Sequence, residues 1–376
     1  QYRRRLRTDI SFSLGYNEGV TLEDRLFDQG GSLDFLGIDD GTRALPDSIE
    51  DSDQLIGPED PTFGGGYSAD QREDFGESFS NPWEPASRSI PLDYSASISM
   101  RDKIELTDTR SFGFTASLSL KDSWDSSEEG LTIYEPANEG VRPNLDVEVE
   151  RTTRDVDLGS LVELVLEDQR RYRIESASLL VRTTDAMTEQ LNGFYNSEGY
   201  DIEETEVLWR EQTLFNQSVR GRHQLSGLGG TEFRWNYNLS LARSYEPDRK
   251  YYIYRDEIQD GVFDEEDSFL IPDQWSNRRI FTEVDDTIHD GGVAASVPIG
   301  WFGNASADFL DFGTQVSYQA RSSDTRRFGY IYDRFAEPET FDQDMGSIFT
   351  DENIGPIIDF EEFTEPTDSI SSDQLV

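Results

Sequence analysis

The chain contains no cysteine, so a disulfide framework, a thiol nucleophile and a cysteine-based zinc or iron–sulfur site are all excluded. Histidine is nearly absent too. His223 and His289 stand far apart in the sequence, so no His-rich metal cluster is expected. Basic residues are few: 33 Lys plus Arg against 77 Asp plus Glu, a formal net charge of −44. Phosphate binding needs a basic face, which argues against nucleic acid and against anionic lipid surfaces as partners. No apolar run reaches the roughly 18 residues of a membrane-spanning helix. No basic-then-apolar stretch opens the chain, so no signal peptide is expected within it. Only 35% of residues are hydrophobic, yet 12% are aromatic, and disordered acidic chains are poor in aromatics. A folded chain is therefore expected. Its 376 residues suit either two or three globular domains or one large β-architecture.

What the sequence has in quantity is period two. Leu6, Ile10, Phe12, Leu14 and Tyr16 alternate with Arg5, Arg7, Asp9, Ser11, Ser13 and Gly15. Successive side chains of a strand point to opposite faces, so one face here is apolar and the other polar. The pattern returns through Ile90 to Met100, Phe112 to Leu120, Val156 to Leu166, Val207 to Val219 and Phe233 to Leu241. It returns again at Val293 to Ile299 and at Leu310 to Ala320, the last extending to Tyr332. Between Arg171 and Asp185 the register changes, which a β-bulge near Ser176 explains. That makes nine strands. Helical patterning is nearly absent; Met187 to Gly193 holds one or two turns at best.

Each clean segment is about ten residues long, enough to cross a bilayer as a tilted strand. The connections alternate long and short: 18–86, 126–146, 186–203, 246–276 and 335–376 are long, with short turns between them. Hairpins at one end and long loops at the other are the pattern of an outer-membrane barrel. The expected fold is all-β: an antiparallel transmembrane β-barrel, incomplete here, as an open curved sheet of about nine long strands. Arg5, Arg7, Arg234, Asp311 and Arg321 fall on the polar face and are candidate lumen-facing charges. The plainer role for such arginines is pairing with wall acids such as Asp9, Asp155 and Asp311; pairing with a plug or an anionic ligand is the alternative. Tyr16, Trp124, Trp209, Trp235, Tyr245 and Trp301, with Phe302, lie near strand ends and are aromatic-belt candidates.

Chemistry of other kinds is hard to find. Asp39-Asp40, Glu265-Glu266-Asp267 and Asp285-Asp286 offer hard oxygen ligands, but none has the spacing of a calcium loop. Solvated loop charge is the preferred reading, and no metal or other cofactor is expected. His223, in step with the apolar face, reads as interfacial; His289 lies beside Asp290 and Asp286 and suits a pH response. Gly64-Gly65-Gly66 has no following Lys-Ser/Thr, so it reads as a flexible hinge and not a phosphate loop. No catalytic triad assembles, and no enzyme is expected. Trp83, Tyr134, Tyr195, Tyr200, Tyr251, Tyr252 and Tyr254 lie in the long loops, where aromatics either stack on sugars and rings or pack loops together.

Three stretches carry a resemblance. One is Leu33-Asp34-Phe35-Leu36-Gly37-Ile38-Asp39-Asp40-Gly41-Thr42-Arg43-Ala44-Leu45-Pro46. The second runs from Arg171 to Leu225, with Val207-Leu208-Trp209-Arg210-Glu211-Gln212-Thr213-Leu214-Phe215 and Gly221-Arg222-His223-Gln224-Leu225. The third is Trp235-Asn236-Tyr237-Asn238 through Tyr245-Glu246-Pro247-Asp248. In these the chain resembles the large TonB-dependent receptors of the bacterial outer membrane, of the type with a carboxypeptidase-regulatory-like N-terminal domain. The resemblance implies a barrel of about 22 strands around a plug. It also implies import of a scarce nutrient, driven through the plug by the TonB energy-coupling complex. The plug and that complex, the nutrient ligand and outer-membrane lipid are the implied partners, and the outer membrane the implied location. No plug or energy-coupling box is visible, so the chain is expected to be an internal piece, roughly the first half of the barrel. A passive porin-like channel and a soluble or surface acidic β-sandwich adhesin are the alternatives.

Overall fold

The computed structural model describes residues 6–52, 54–62, 64–137, 140–169, 171–195, 199–256, 263, 268–271, 276–299, 309–332 and 341–375. Strand dominates, 68% against 8% helix, which makes the chain all-β. Nine long strands follow one another, each antiparallel to the next: β1 (Arg7–Gly15), β4 (Asp93–Glu105), β5 (Arg110–Pro136), β6 (Val141–Asp168), β7 (Tyr172–Tyr195), β8 (Tyr200–Leu225), β9 (Thr231–Asp256), β11 (Asn277–Pro298) and β12 (Phe309–Tyr332). Three short strands complete this twelve-stranded sheet. β10 (Ser268–Leu270) pairs with β9, while β13 (Ile358–Glu362) and β14 (Ile370–Leu375) both run along β12. β2 (Asp24–Phe27) and β3 (Ala86–Ser89) form a separate ribbon. The sheet is open: it does not close on itself between β1 and the strands along β12.

The nine alternating segments are thus all strands, in the expected order. Their length is not as expected. Six of them run 24 to 28 residues, more than twice a lipid-crossing span. The stretches 126–146 and 186–203, expected as loops, are largely the far arms of β5 and β6 and of β7 and β8, paired as far as Pro136 with Val141 and Tyr195 with Tyr200. The stretch 246–276 opens with the end of β9, and 335–376 holds β13 and β14. Long and short alternation in the sequence was therefore largely a difference between long and short arms.

Two local expectations are corrected. No bulge occurs near Ser176: β7 pairs in continuous register with both neighbours. The register shifts lie at Ile133/Tyr134, between Val207 and Glu211, and at Ile280/Thr282. Met187 to Gly193 is strand and not helix, because both flanking strands supply ladder partners there. Helix instead appears inside the first connection: α1 (Asp47–Glu50) and α2 (Ala69–Glu77), with α3 (Met345–Ile348) late in the chain. Ser68 starts α2 with a capping box, its hydroxyl accepting from the Gln71 amide and the Gln71 side chain returning to the Ser68 amide. Gly64, Gly65 and Gly66 form a closed turn rather than a free hinge, all at positive φ, with the Gly64 amide on the Asp60 carbonyl.

The first connection does not hang in solvent. It crosses the far arms of the sheet from β5 to β12. Phe27 lies edge-on to Trp124 at 4.7 Å. The Gly37 carbonyl accepts from Thr184 Oγ1 and Arg182 Nε, each at 2.7 Å. The Tyr330 hydroxyl donates to the Gly76 carbonyl at 2.8 Å. Under its second half lies the main core, with Ile49, Ile56, Trp83, Phe281, Phe328, Tyr330 and Phe360 all buried. Residues 341–363 close the other side of that core.

Candidate functional site

Ladder register assigns each side chain to a face. Leu14, Tyr94, Asp122, Val156, Thr184, Glu211, Tyr245, Glu283 and Asp324 form one cross-strand row, so they share a face. On that face, from this row down to the short turns, the residues are mostly apolar and uncovered. Ile10 is 75% exposed, and Phe12, Leu118, Val162, Leu164, Leu241, Val293, Phe312 and Val316 are exposed with it. In β5 the band spans Phe112 to Leu120, which at about 3.4 Å per residue and a tilt of about 40° covers roughly 21 Å. The opposite face at the same height carries Ser11, Ser13, Ser95, Ser97, Ser117, Ser119, Asn236, Asn238 and Ser240. Ser11 and Ser13 hydrogen-bond Ser97 and Ser95 at 2.8 and 2.7 Å. Val181 and Leu214 are exposed apolar exceptions on this polar face.

Aromatic side chains mark both limits of the band. At the turn end Tyr172, His223 and Phe233 are cross-strand neighbours on the apolar face. Trp235 lies one row in, its ring over Gly221 and its Nε1 donating to His223 Nε2 at 3.0 Å. At the far limit stand Tyr94 and Tyr245, with Tyr16 just beyond β1 and 65% exposed. Trp124 and Trp209 sit on the same face but above the band, 3% and 2% exposed. They are not interfacial: Phe27 and Arg154 cover Trp124, and the Arg43 guanidinium lies 4.1 Å over Trp209. The reason is strand length. What ended a ten-residue segment in the sequence is mid-strand in the fold. Trp301, Phe302 and Arg5 lie outside the described residues.

The other candidates divide by face. Arg7, Arg234, Asp311 and Arg321 all lie on the polar face. Arg7 pairs with Asp9 at 3.0 Å, Arg234 approaches Asp311 at 3.6 Å, and Arg321 stands directly opposite Asp286. Pairing with wall acids thus holds for Arg7 and Arg234. His289 is on the apolar face, its Nδ1 hydrogen-bonded with the Tyr237 hydroxyl at 2.8 Å. Strand alternation turns Asp286 and Asp290 to the other face, which removes the motive for a local pH response. It also separates Asp285 from Asp286. Asp39 bonds the Arg43 and Gly41 amides, and Asp40 bonds Ser32 and Thr42. Glu265 to Asp267 are outside the described residues. Among the described residues no group of three or more His, Asp or Glu side chains is placed to hold a metal. Trp83, Tyr252 and Tyr254 are buried in loop packing rather than offered to a ligand.

Above the band the apolar face becomes an ionic clamp that seats the first connection. Arg43, 1% exposed, meets Asp28 and Asp34 at 2.8 Å and Asp39 at 3.4 Å. Lys250 of β9 reaches Asp28 at 3.1 Å. Arg279 of β11 and Asn81 both hold Asp248, at 2.9 and 2.7 Å. Asp248 sits at φ +50 beside the β8–β9 register shift, where the extra residues aim it into the clamp. Burial pushes the Asp28 carboxyl up, but Lys250 and Arg43 outweigh it and hold its pKa below the ordinary value.

Comparison of the chain with protein families, with curated proteins and with solved structures finds no match.

Proposed function

We propose that this sheet is part of the wall of a bacterial outer-membrane β-barrel, its apolar band against lipid and its polar face around a wet lumen. One observation carries the reading: an uncovered apolar band of bilayer-like height lies on one face, backed at the same height by serine, asparagine and glycine. A sandwich would bury that band under a second sheet; a lipid-facing wall leaves it bare. The aromatic rows at both limits suit the membrane–water interfaces. The far arms and the clamped first connection then stand outside the bilayer.

On the resemblance noted above, the barrel belongs to a receptor that imports a scarce nutrient by TonB-coupled transport. The first test is physical. The full chain, refolded with and without lipid vesicles, is floated on a density gradient; co-flotation resistant to carbonate supports the wall, and a stable soluble species without lipid overturns it. The second is genetic. Uptake of one solute is lost both on deleting the gene and on deleting the energy-coupling complex; uptake that survives loss of that complex makes the barrel a passive channel.

A further inference from the structure

The polar face is not uniform near the short turns. Arg173 of β7 stands opposite Arg222 of β8, and Arg222 opposite Arg234 of β9. Three arginines therefore share one cross-strand row. Like charges directly opposite destabilise a sheet, so the row is a cost to folding. Arg220 adds a fourth guanidinium one row away, opposite Glu175. The arginine row continues into Ala294 of β11 and Gly313 of β12, which have almost no side chain. The result is a groove of about 750 Å³, arginine on one flank and a glycine-rich floor on the other. The floor is fixed by backbone contact: a Cβ at Gly313 would come within 2.7 Å of the Val293 carbonyl oxygen.

The local acids satisfy this charge unevenly. Glu175 hydrogen-bonds Arg173 and Arg220. Among the described residues Arg222 meets a carboxylate only at 4.0 Å, on Glu232, and Arg234 meets Glu232 and Asp311 at 3.7 and 3.6 Å. These are ion-pair distances beyond a good hydrogen bond. Both guanidinium groups are about half exposed, Arg222 with only the long Glu232 contact among the described residues and Arg234 also donating to Ser296 Oγ at 3.2 Å. Guanidinium forks match carboxylate and phosphate oxygens in pairs, and the volume falls in the range of small-ligand sites.

We propose that this groove binds a small polyanion, a molecule bearing two or more carboxylate or phosphate groups. The site rests on the reading of this face as the wall of a wet lumen. A long anionic polymer is disfavoured by the net charge of −44 around it, whereas a small ligand interacts within roughly one screening length of the arginines, about 8–10 Å.

The test uses the full chain in detergent micelles, with citrate and tripolyphosphate as probes, acetate as the single-charge control, and calorimetry as the readout. Saturable one-to-one binding of either probe, with none of acetate, is expected; which probe binds tells carboxylate from phosphate. Arg222→Gln and Arg234→Gln each weaken it tenfold or more, a loss of at least about 1.4 kcal/mol. Arg222→Lys loses less, since it keeps charge without the fork. Arg7→Gln, on the same face but outside the groove, leaves it unchanged. An unaltered β-type circular dichroism spectrum shows that each variant folds. Absence of saturation with both probes overturns the site, as does an equal loss for Arg7→Gln. Tighter capture of a poly-glutamate peptide than of either probe also overturns it, giving the groove to a polypeptide. Vesicle flotation of the same variants reports the wall separately: if flotation fails while citrate or tripolyphosphate binds, the membrane reading falls and the groove stands.

Discussion

Arg43 shows how much of this molecule rests on single side chains above the apolar band. Its guanidinium touches three carboxylates and stacks on Trp209 while almost wholly buried. Removing one partner of such a set leaves the others charged and without water, at about 3–5 kcal/mol. Arg43→Ala is therefore expected to loosen residues 24–46 from the sheet by that amount, read as lost hydrogen-exchange protection there. Arg43→Lys restores little, because it supplies neither the fork nor the flat stacking surface. Gly221 is a second such residue. Trp235 lies over it, and a Cβ would clash with the indole ring. Gly221→Val is expected to expel the ring and break its bond to His223, shifting tryptophan emission and costing about 1–3 kcal/mol.

At the scale of elements, the clamped first connection has a stability that depends on pH. Asp28 titrates below its ordinary value of 3.8 in the fold. A carboxyl lowered in the native state contributes stability that is complete above the unfolded value and is lost as pH falls through the folded one. The Asp28 share of the protection of residues 24–46 is thus expected to hold at pH 5 and above and to be lost in acid below about 3.8, while Asp39 of the same clamp, its pKa raised by burial, works against it. Glu84 acts in the opposite sense: burial, with the Asp344 charge, raises its pKa, so its contribution fades as pH rises through that raised value. Asp28→Asn should flatten the acid limb and weaken docking even at neutral pH. Protection that is lost well above pH 5 would contradict this account of the clamp.

The same elements explain which parts of the fold were legible in the sequence. Eight of the nine strands show period two where one face is apolar and the other polar, as from Phe112 to Leu120; β7 is the exception, with Ala177, Leu179 and Val181 on the polar face. The contrast fades from Asp125 to Pro136, where both faces carry acids and small residues, because that arm meets solvent and an ionic clamp. In the sequence the arms accordingly read as loops. Trp124 and Trp209 were misplaced for the same reason: aromatic residues at the end of visible alternation sit mid-strand under Phe27 and Arg43. The arginine row was missed for another. Arg173, Arg222 and Arg234 are separated in sequence and become neighbours only through ladder register, although each lies close to a short turn.

At the scale of the whole molecule, the central claim is that one face of the lower sheet meets lipid and the other meets water. Charge placed on the two faces should then have unequal effects. Leu118→Arg is expected to cost about 2–4 kcal/mol of folding free energy in bilayers, while Ser117→Arg, one residue away, costs little. Refolding into vesicles under urea measures both. The absence of cysteine permits the most direct measurement. Single cysteines placed in turn from Phe112 to Leu120 in the full chain, spin-labelled in lipid, are compared for collision with oxygen and with a water-soluble nickel chelate. The account predicts a two-residue oscillation, with even positions open to oxygen and odd positions open to nickel. Uniform access to nickel along the strand, or access to neither at the even positions, would contradict it.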